Sequence, residues 1–183
     1  MPSISSMFLG LIQGLTEFLP ISSSGHLVLA SEFLKYSSPG IVFETSVHLA
    51  TTAVVVVHFR TVIWSLLLGI QKDNAARKYC LKLVMAFSGT AILGYFLMHL
   101  QVLELMQTSV FSGSMLIITS LFLVSARWAK NVRFQQSEWE ISWKTALLMG
   151  LAQGVSILPG ISRSGATIVT GLWLGSSKQS VAT

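Results

Sequence analysis

Apolar residues along this chain come in runs of two lengths. Three runs, about 42–60 (VFETSVHLATTAVVVVHFR), about 80–100 (CLKLVMAFSGTAILGYFLMHL) and about 110–128 (VFSGSMLIITSLFLVSARW), approach the roughly 20 residues that a helix needs to cross the hydrocarbon of a bilayer. Four others, roughly 4–19, 25–36, 143–158 and 165–175, are too short or too interrupted. They form two pairs, each joined by a link of Gly, Ser and Pro. If each pair is a helical hairpin entering and leaving by one face, the chain is an all-α polytopic membrane protein: two re-entrant hairpins plus about three full spans.

Composition strengthens that reading. Of 183 residues 52% are hydrophobic and only 10% charged, with a mean hydropathy of +0.68, whereas soluble domains carry about 25% charged residues. The length suits a single membrane domain over residues 1–183. The opening "MPSISSMFLGLIQGLTEF" has no basic leader and carries Gln13 and Glu17 where a signal peptide is apolar, so the first segment is expected to stay in the mature protein. The lone cysteine, Cys80, permits no intrachain disulfide and reads as packing.

The net charge of +5 raises nucleic acid as a partner, but the basic residues sit in short connections between apolar runs. Arg60, Lys72, Arg77, Lys78 and Lys82 follow the first span, Arg127, Lys130, Arg133 and Lys144 follow the third, and "QVLELMQTS" between the second and third has no Lys or Arg. That sidedness is the positive-inside pattern, so nucleic acid is discarded and these connections are assigned to the cytoplasm. Residues 4–36 then dip in from outside and 143–178 from the cytoplasm, bringing their links toward each other. Trp64, Trp128, Trp139 and Trp143 read as interfacial anchors.

An internal repeat supports the same picture. At a fixed offset of 140, "GLIQGLTEFLPISSSG" (10–25) and "GLAQGVSILPGISRSG" (150–165) share Gly10/Gly150, Leu11/Leu151, Gln13/Gln153, Gly14/Gly154, Ile21/Ile161, Ser22/Ser162, Ser24/Ser164 and Gly25/Gly165, while their Leu-Pro pairs slip by one residue. Small residues recur in any membrane helix, but that accounts poorly for a gapless match including Gln and Ser. The repeat motifs occupy 7–30 and 147–171, and the odd number of spans between them makes the repeats inverted. Inverted repeats with broken helices mark a binding site in membrane proteins.

The chemistry gathers at the same places. Glu17 lies in or beside hydrocarbon, where insertion of a charge costs roughly 2.5–3.5 kcal/mol, and Gln13, four residues earlier, shares its helix face. A structural ion pair of Glu17 with Arg163 is one explanation; a functional site is the preferred one. Ser22, Ser23, Ser24 and Gly25 lead into a helix near His26, and Ser162, Arg163, Ser164 and Gly165 do the same in the second copy. Helix starts present free N–H groups and a favourable dipole to an anion. N-capping explains one or two of those serines, not five. The planar fork of Arg163 suits phosphate oxygens and is always charged.

His26 is a candidate general acid, base or nucleophile. A carboxylate beside a phosphate calls for a bridging cation, and the oxygen-rich donor set favours Mg²⁺ or Ca²⁺ over zinc. His48, His58 and His99 read as packing or interface residues, although Glu44 and His48, four apart, are placed to face the cavity.

On "QGLTEFLPISSSGH" (13–26) and "PGISRSGAT" (159–167) the sequence resembles the undecaprenyl-diphosphate phosphatase family, the bacitracin-resistance type of bacterial membrane enzyme. The first stretch matches that family's (Glu/Gln)-x-x-x-Glu motif with its following serines and histidine; the second matches its Pro-Gly-x-Ser-Arg-Ser-x-x-Thr motif. The resemblance implies hydrolysis of undecaprenyl diphosphate to the monophosphate, recycling the lipid carrier of cell-wall synthesis. It implies an outward-facing site in the bacterial inner membrane, inverted repeats with re-entrant helices, and a divalent cation.

Carried over by position, the functional residues are Gln13, Glu17, Ser22, Ser23, His26, Ser162, Arg163, Ser164 and Thr167. Glu17 would hold the metal, with Gln13, or activate a nucleophile; Ser23 or His26 would be nucleophile or proton donor; Arg163 would bind diphosphate. Ser24, Gly25 and Gly165 complete the expected substrate cradle, and a homodimer is among the expected assemblies. Gln13 departs from a second glutamate and leaves one carboxylate fewer. Members of the family continue beyond the second motif, so residues 1–183, ending "SSKQSVAT", resemble a fragment. The competing expectations are a transporter or flippase of a phosphorylated polyprenyl lipid, and a lipid phosphatase of the other common type, which lacks support because "SGATIVTGLWLG" supplies no histidine.

Overall fold

Both repeat motifs fold as the same supersecondary unit. In the computed structural model, which describes residues 4–36, 40–99, 108–129, 141–178 and 181, α1 (Ile4–Thr16) and α2 (Ser23–Phe33) form the first pair. The second pair is α7 (Trp143–Val155) with α8 (Arg163–Trp173). The members are 13 and 11 residues long in each pair. At about 1.5 Å per residue they are too short to cross roughly 30 Å of hydrocarbon, and within each pair the two helices pack on each other.

Between the pairs lie α3 (Gly40–His58), α4 (Arg60–Gly69), α5 (Asn74–His99) and α6 (Ser109–Ser125), the last continued by one 3₁₀ turn, Ala126–Trp128. Asn74–His99 and Ser109–Trp128 are each long and apolar enough to cross a membrane, and α3 with α4 is a third candidate span bent by 67°. The chain is thus a multi-pass, all-helical membrane protein, with no strand among the described residues. The connection 101–107, the basic residues Lys130 and Arg133, and Trp139 lie outside the described residues.

The bend between α3 and α4 has a local cause. Phe59 takes φ −91°, ψ 12°, the sparsely populated bridge region between helix and strand. The guanidinium of Arg60 donates to the Val57 carbonyl at 2.7 Å, satisfying an acceptor at the end of α3.

What is buried is small. The buried apolar residues include Leu9, Leu27, Ala76, Ala146, Ala166 and Val169, beside buried Ser and Thr, while Phe8, Phe87, Tyr95 and Val110 are exposed. That inversion of the soluble pattern fits apolar faces turned to lipid and small residues turned to neighbouring helices. The tightest seam joins α5 and α7. A Cβ on Gly150 would meet the backbone of Ala86, at 2.6 Å from its Cα, and one on Gly154 would come within 2.9 Å of the Leu93 Cβ. Thr90 Oγ1 donates across the seam to the Gly150 carbonyl at 2.8 Å. Backbone cannot yield as a side chain can, so Gly150→Val is expected to cost about 3 kcal/mol, the upper end of overpacking. A lowered Tm and aggregation in detergent would report it; an unchanged Tm would contradict the seam.

Direction along that seam matters for topology. Lys82 sits over the Trp143 ring, 5.7 Å from its centroid, Ala86 meets Gly150, and Leu93 meets Gly154, so α5 and α7 run parallel. Lys82 and Lys144, assigned to one side from charge alone, therefore lie toward the same end. On the far side of the second pair, Thr119 of α6 contacts the chain at Gly160 and Ser162, and Ser125 meets Trp173. Hence α8 runs parallel to α6.

Candidate active site

The links of the two hairpins, 17–22 and 156–162, meet. A Cβ on Gly25 would lie 2.8 Å from the Gly160 Cα, and one on Gly165 would lie 3.2 Å from the Pro20 carbonyl oxygen. Each glycine at a helix start thus allows one link to approach the backbone of the other. The expected meeting of the two motifs is what the fold builds.

Their internal geometry repeats as well. Ser22 caps α2 by accepting from the Gly25 N–H at 3.4 Å, and Ser162 caps α8 by accepting from the Gly165 N–H at 3.0 Å. Ser24 Oγ lies 3.3 Å from Ser22 Oγ, and Ser164 Oγ lies 3.3 Å from Ser162 Oγ. Where the sequences slip, the backbones differ. The left-handed conformation falls at Ser22 (φ 67°) in the first link and at Gly160 (φ 99°) in the second. Ser22 is a strained non-glycine position, over-determined by its cap and its burial. The second link is clamped from α6: buried Thr119 donates to the Gly160 carbonyl at 2.8 Å and accepts from the Ser162 N–H at 3.3 Å.

Between the links lies a cavity of about 140 Å³. Glu17, Leu19, Ser22, Ser23 and Ser24 line one side, and Ile161, Ser162, Arg163 and Ser164 the other. Ser23 Oγ donates a short hydrogen bond to Glu17 Oε2, the relation of a nucleophile to its base. Gln13 Nε2 donates to the same oxygen at 2.8 Å. Arg163 stands exposed as the first residue of α8, and its guanidinium makes no ion pair among the described residues. A structural lock between Glu17 and Arg163 is therefore not what holds the hairpins together; the two groups face one cavity.

The remaining candidates stand further back. His26 Nδ1 donates to the Ser22 carbonyl at 2.7 Å, and the ring is not among the groups lining the cavity. Thr167 Oγ1 bonds back to the carbonyls of Arg163 and Ser164 at 3.2 and 3.0 Å, supporting the first turn of α8. Gly25 and Gly165 act through close approach. Two further residues belong to the site, one of them not singled out from the sequence. Thr119 carried no signal, being one hydroxyl in an apolar span. His48 did carry one, its spacing from Glu44, and the fold sets its Nδ1 2.9 Å from Gln13 Nε2 and 3.7 Å from Glu17 Oε2.

The divalent cation that the resemblance implies finds suitable donors here. No cluster of three or more His, Cys, Asp or Glu occurs among the described residues. Gln13 does not itself line the cavity, but it is bonded to Glu17, which does, and its Oε1 is buried without a hydrogen-bond partner, while the bonds of Glu17 fall on Oε2. Two hard oxygens, one neutral and one anionic, suit Mg²⁺ or Ca²⁺, which take their other ligands from water and substrate phosphate.

A second cavity of about 220 Å³ adjoins the first. Ile118, Phe122, Ala152 and Val155 contribute its apolar wall, and Ile161 and Ser162 line both cavities.

Known proteins resemble this chain over its whole length. The sequence pattern of the family described as "Bacitracin resistance protein BacA" matches residues 6–183. The chain is 36% identical over 190 residues to Undecaprenyl-diphosphatase 1 of Pseudoalteromonas translucida (strain TAC 125), covering 100% of this chain and 70% of that protein. It is 36% identical over 189 residues to Undecaprenyl-diphosphatase of Aliivibrio salmonicida (strain LFI1238), covering 100% of this chain and 69% of that protein. With both signature links in place and the match running from end to end, the chain belongs to the bacitracin resistance protein BacA family.

Proposed function

We propose that this protein hydrolyses undecaprenyl diphosphate to undecaprenyl phosphate and inorganic phosphate, recycling the lipid carrier for cell-wall synthesis. The observation that carries the reading is the Ser23–Glu17 hydrogen bond facing Arg163 across one cavity. The relatives' names supply the substrate. The apolar cavity that shares Ile161 and Ser162 with the polar one suits a ligand with an anionic head and a hydrocarbon tail.

The residues divide the work. Arg163 and the N–H groups at the starts of α2 and α8 bind the diphosphate and stabilise the charge that develops on the transferring group. Ser23 attacks the terminal phosphorus as Glu17 takes its proton. The bond from that phosphorus to the bridging oxygen breaks, and undecaprenyl phosphate leaves. Water then cleaves the phosphoserine, releasing phosphate and restoring the hydroxyl. Gln13 and Glu17 would hold a divalent cation, which when bound neutralises phosphate charge. His26, through its bond to the Ser22 carbonyl, holds the serine link in shape.

The site's place is the inner membrane, opening outward; Lys82 and Lys144, which lie toward one end, support this by the positive-inside rule. The full chain in detergent, given undecaprenyl diphosphate, is expected to release phosphate and leave the monophosphate. Release should stop on adding EDTA and return with Mg²⁺ or Ca²⁺. Unchanged lipid overturns the reading in favour of transport, and full turnover in EDTA overturns the role given to the cation.

A further inference from the structure

His48 reaches the site from α3, an element that carries none of the signature residues. It is partly buried, and its Nδ1 lies 2.9 Å from Gln13 Nε2. Because Gln13 Nε2 is a donor, Nδ1 accepts. The second hydrogen of the same amide goes to Glu17 Oε2 at 2.8 Å. Turning the amide over would set Oε1 against the Glu17 carboxylate, which only accepts, so its orientation is fixed by that partner. The consequence is visible on the other atom: Oε1 is buried and has no partner.

We infer that His48 is a positioning residue for the Gln13 amide: by accepting one amide hydrogen while Glu17 accepts the other, it leaves Gln13 Oε1 as the atom offered to a divalent cation. The inference rests on the reading that Gln13 and Glu17 hold that cation. Glu17 does not suffice alone, because its Oε2 also takes the hydrogen bond of Ser23 and is the base of the proposed reaction. An amide held by one acceptor swings about that bond; one held by two has a fixed plane. Partners of this kind, one step removed from a metal, change its affinity by roughly 10- to 100-fold when removed.

The test reads cation binding without turnover. The full chain in detergent, free of lipid, is titrated with Mg²⁺ or Ca²⁺ and its Tm followed. In the wild type, Tm rises with cation concentration. His48→Leu, which removes the acceptor, should move the half-saturating concentration upward about tenfold. His48→Gln, which retains an acceptor oxygen, should stay within about threefold of wild type. In a Gln13→Ala background His48→Leu should add nothing, because the two act as one unit. With substrate present, His48→Leu should raise the cation requirement and leave the KM for lipid unchanged.

Should the leucine variant fail to fold, His48→Ala carries the same expectation. Wild-type cation binding in His48→Leu, or the same weakening with Gln13 already removed, overturns the inference. Absence of any cation-dependent Tm rise in the wild type overturns the cation reading and takes the role of His48 with it, while phosphate release would still test hydrolysis separately.

Discussion

Arg163→Ala is expected to lower kcat/KM for hydrolysis of undecaprenyl diphosphate by about 10,000-fold, with the fold and Tm intact. Three observations set that size. Among the described residues the guanidinium is the only strong cation lining the cavity. It has no ion pair to lose among the described residues, so its removal leaves no orphaned carboxylate and little strain. It also sits at the start of α8 beside the Ser162 cap, where the helix dipole already favours an anion. Arginines that meet the developing charge of a transferring phosphoryl group are worth 10³–10⁵ in rate. Arg163→Lys retains the charge and loses the fork, and should recover about a hundredfold of the loss. A Lys variant equal to the Ala variant would mean that geometry alone matters.

Glu17→Gln is the second large effect, about 1,000-fold in kcat with little change in the KM for lipid. Ser23 Oγ donates to Glu17 Oε2, so the amide cannot take up the proton that the hydroxyl must lose, and proton transfer by a positioned carboxylate is worth about 10²–10⁴. The substitution also places an amide where Gln13 Nε2 and Ser23 each need an acceptor. Cation-dependent stabilisation should weaken in the same variant, because the anionic oxygen is gone. Kinetics at saturating lipid, with and without added Mg²⁺, separate the two losses. Normal kcat in Glu17→Gln would remove this residue from the chemistry.

Much of this was legible because it is written in hydropathy and in a gapless repeat. The short runs near 4–19 and 143–158 became α1 and α7, the runs 80–100 and 110–128 became α5 and α6, and of the glycines paired at an offset of 140, Gly25 and Gly165 became points where the links touch. Other features depend on contacts between residues far apart in the chain. His48 lies 35 residues from Gln13 and Thr119 lies 43 from Ser162, so no local pattern announces Thr119, and the spacing of His48 from Glu44 says nothing of its partner Gln13. The turn at Phe59 is hidden for a different reason: the apolar run continues through α4 without proline or glycine at the break, and only the backbone of Phe59 and the Arg60 bond to Val57 reveal it. The roles of Ser23 and His26, equivalent by composition, separate only once one side chain lines the cavity and the other is bonded to a carbonyl.

In the proposed reaction the two links form one site in which Ser23, activated by Glu17 and opposite Arg163, takes the terminal phosphoryl group. The rate of phosphate release from undecaprenyl diphosphate by the full chain, measured beside Ser23→Ala under identical Mg²⁺, tests it most directly. Sustained release by the wild type and a rate at least about 1,000-fold lower in a folded Ser23→Ala are predicted, in line with the loss of a nucleophile. No release by the wild type, or release by Ser23→Ala at the wild-type rate, would contradict it.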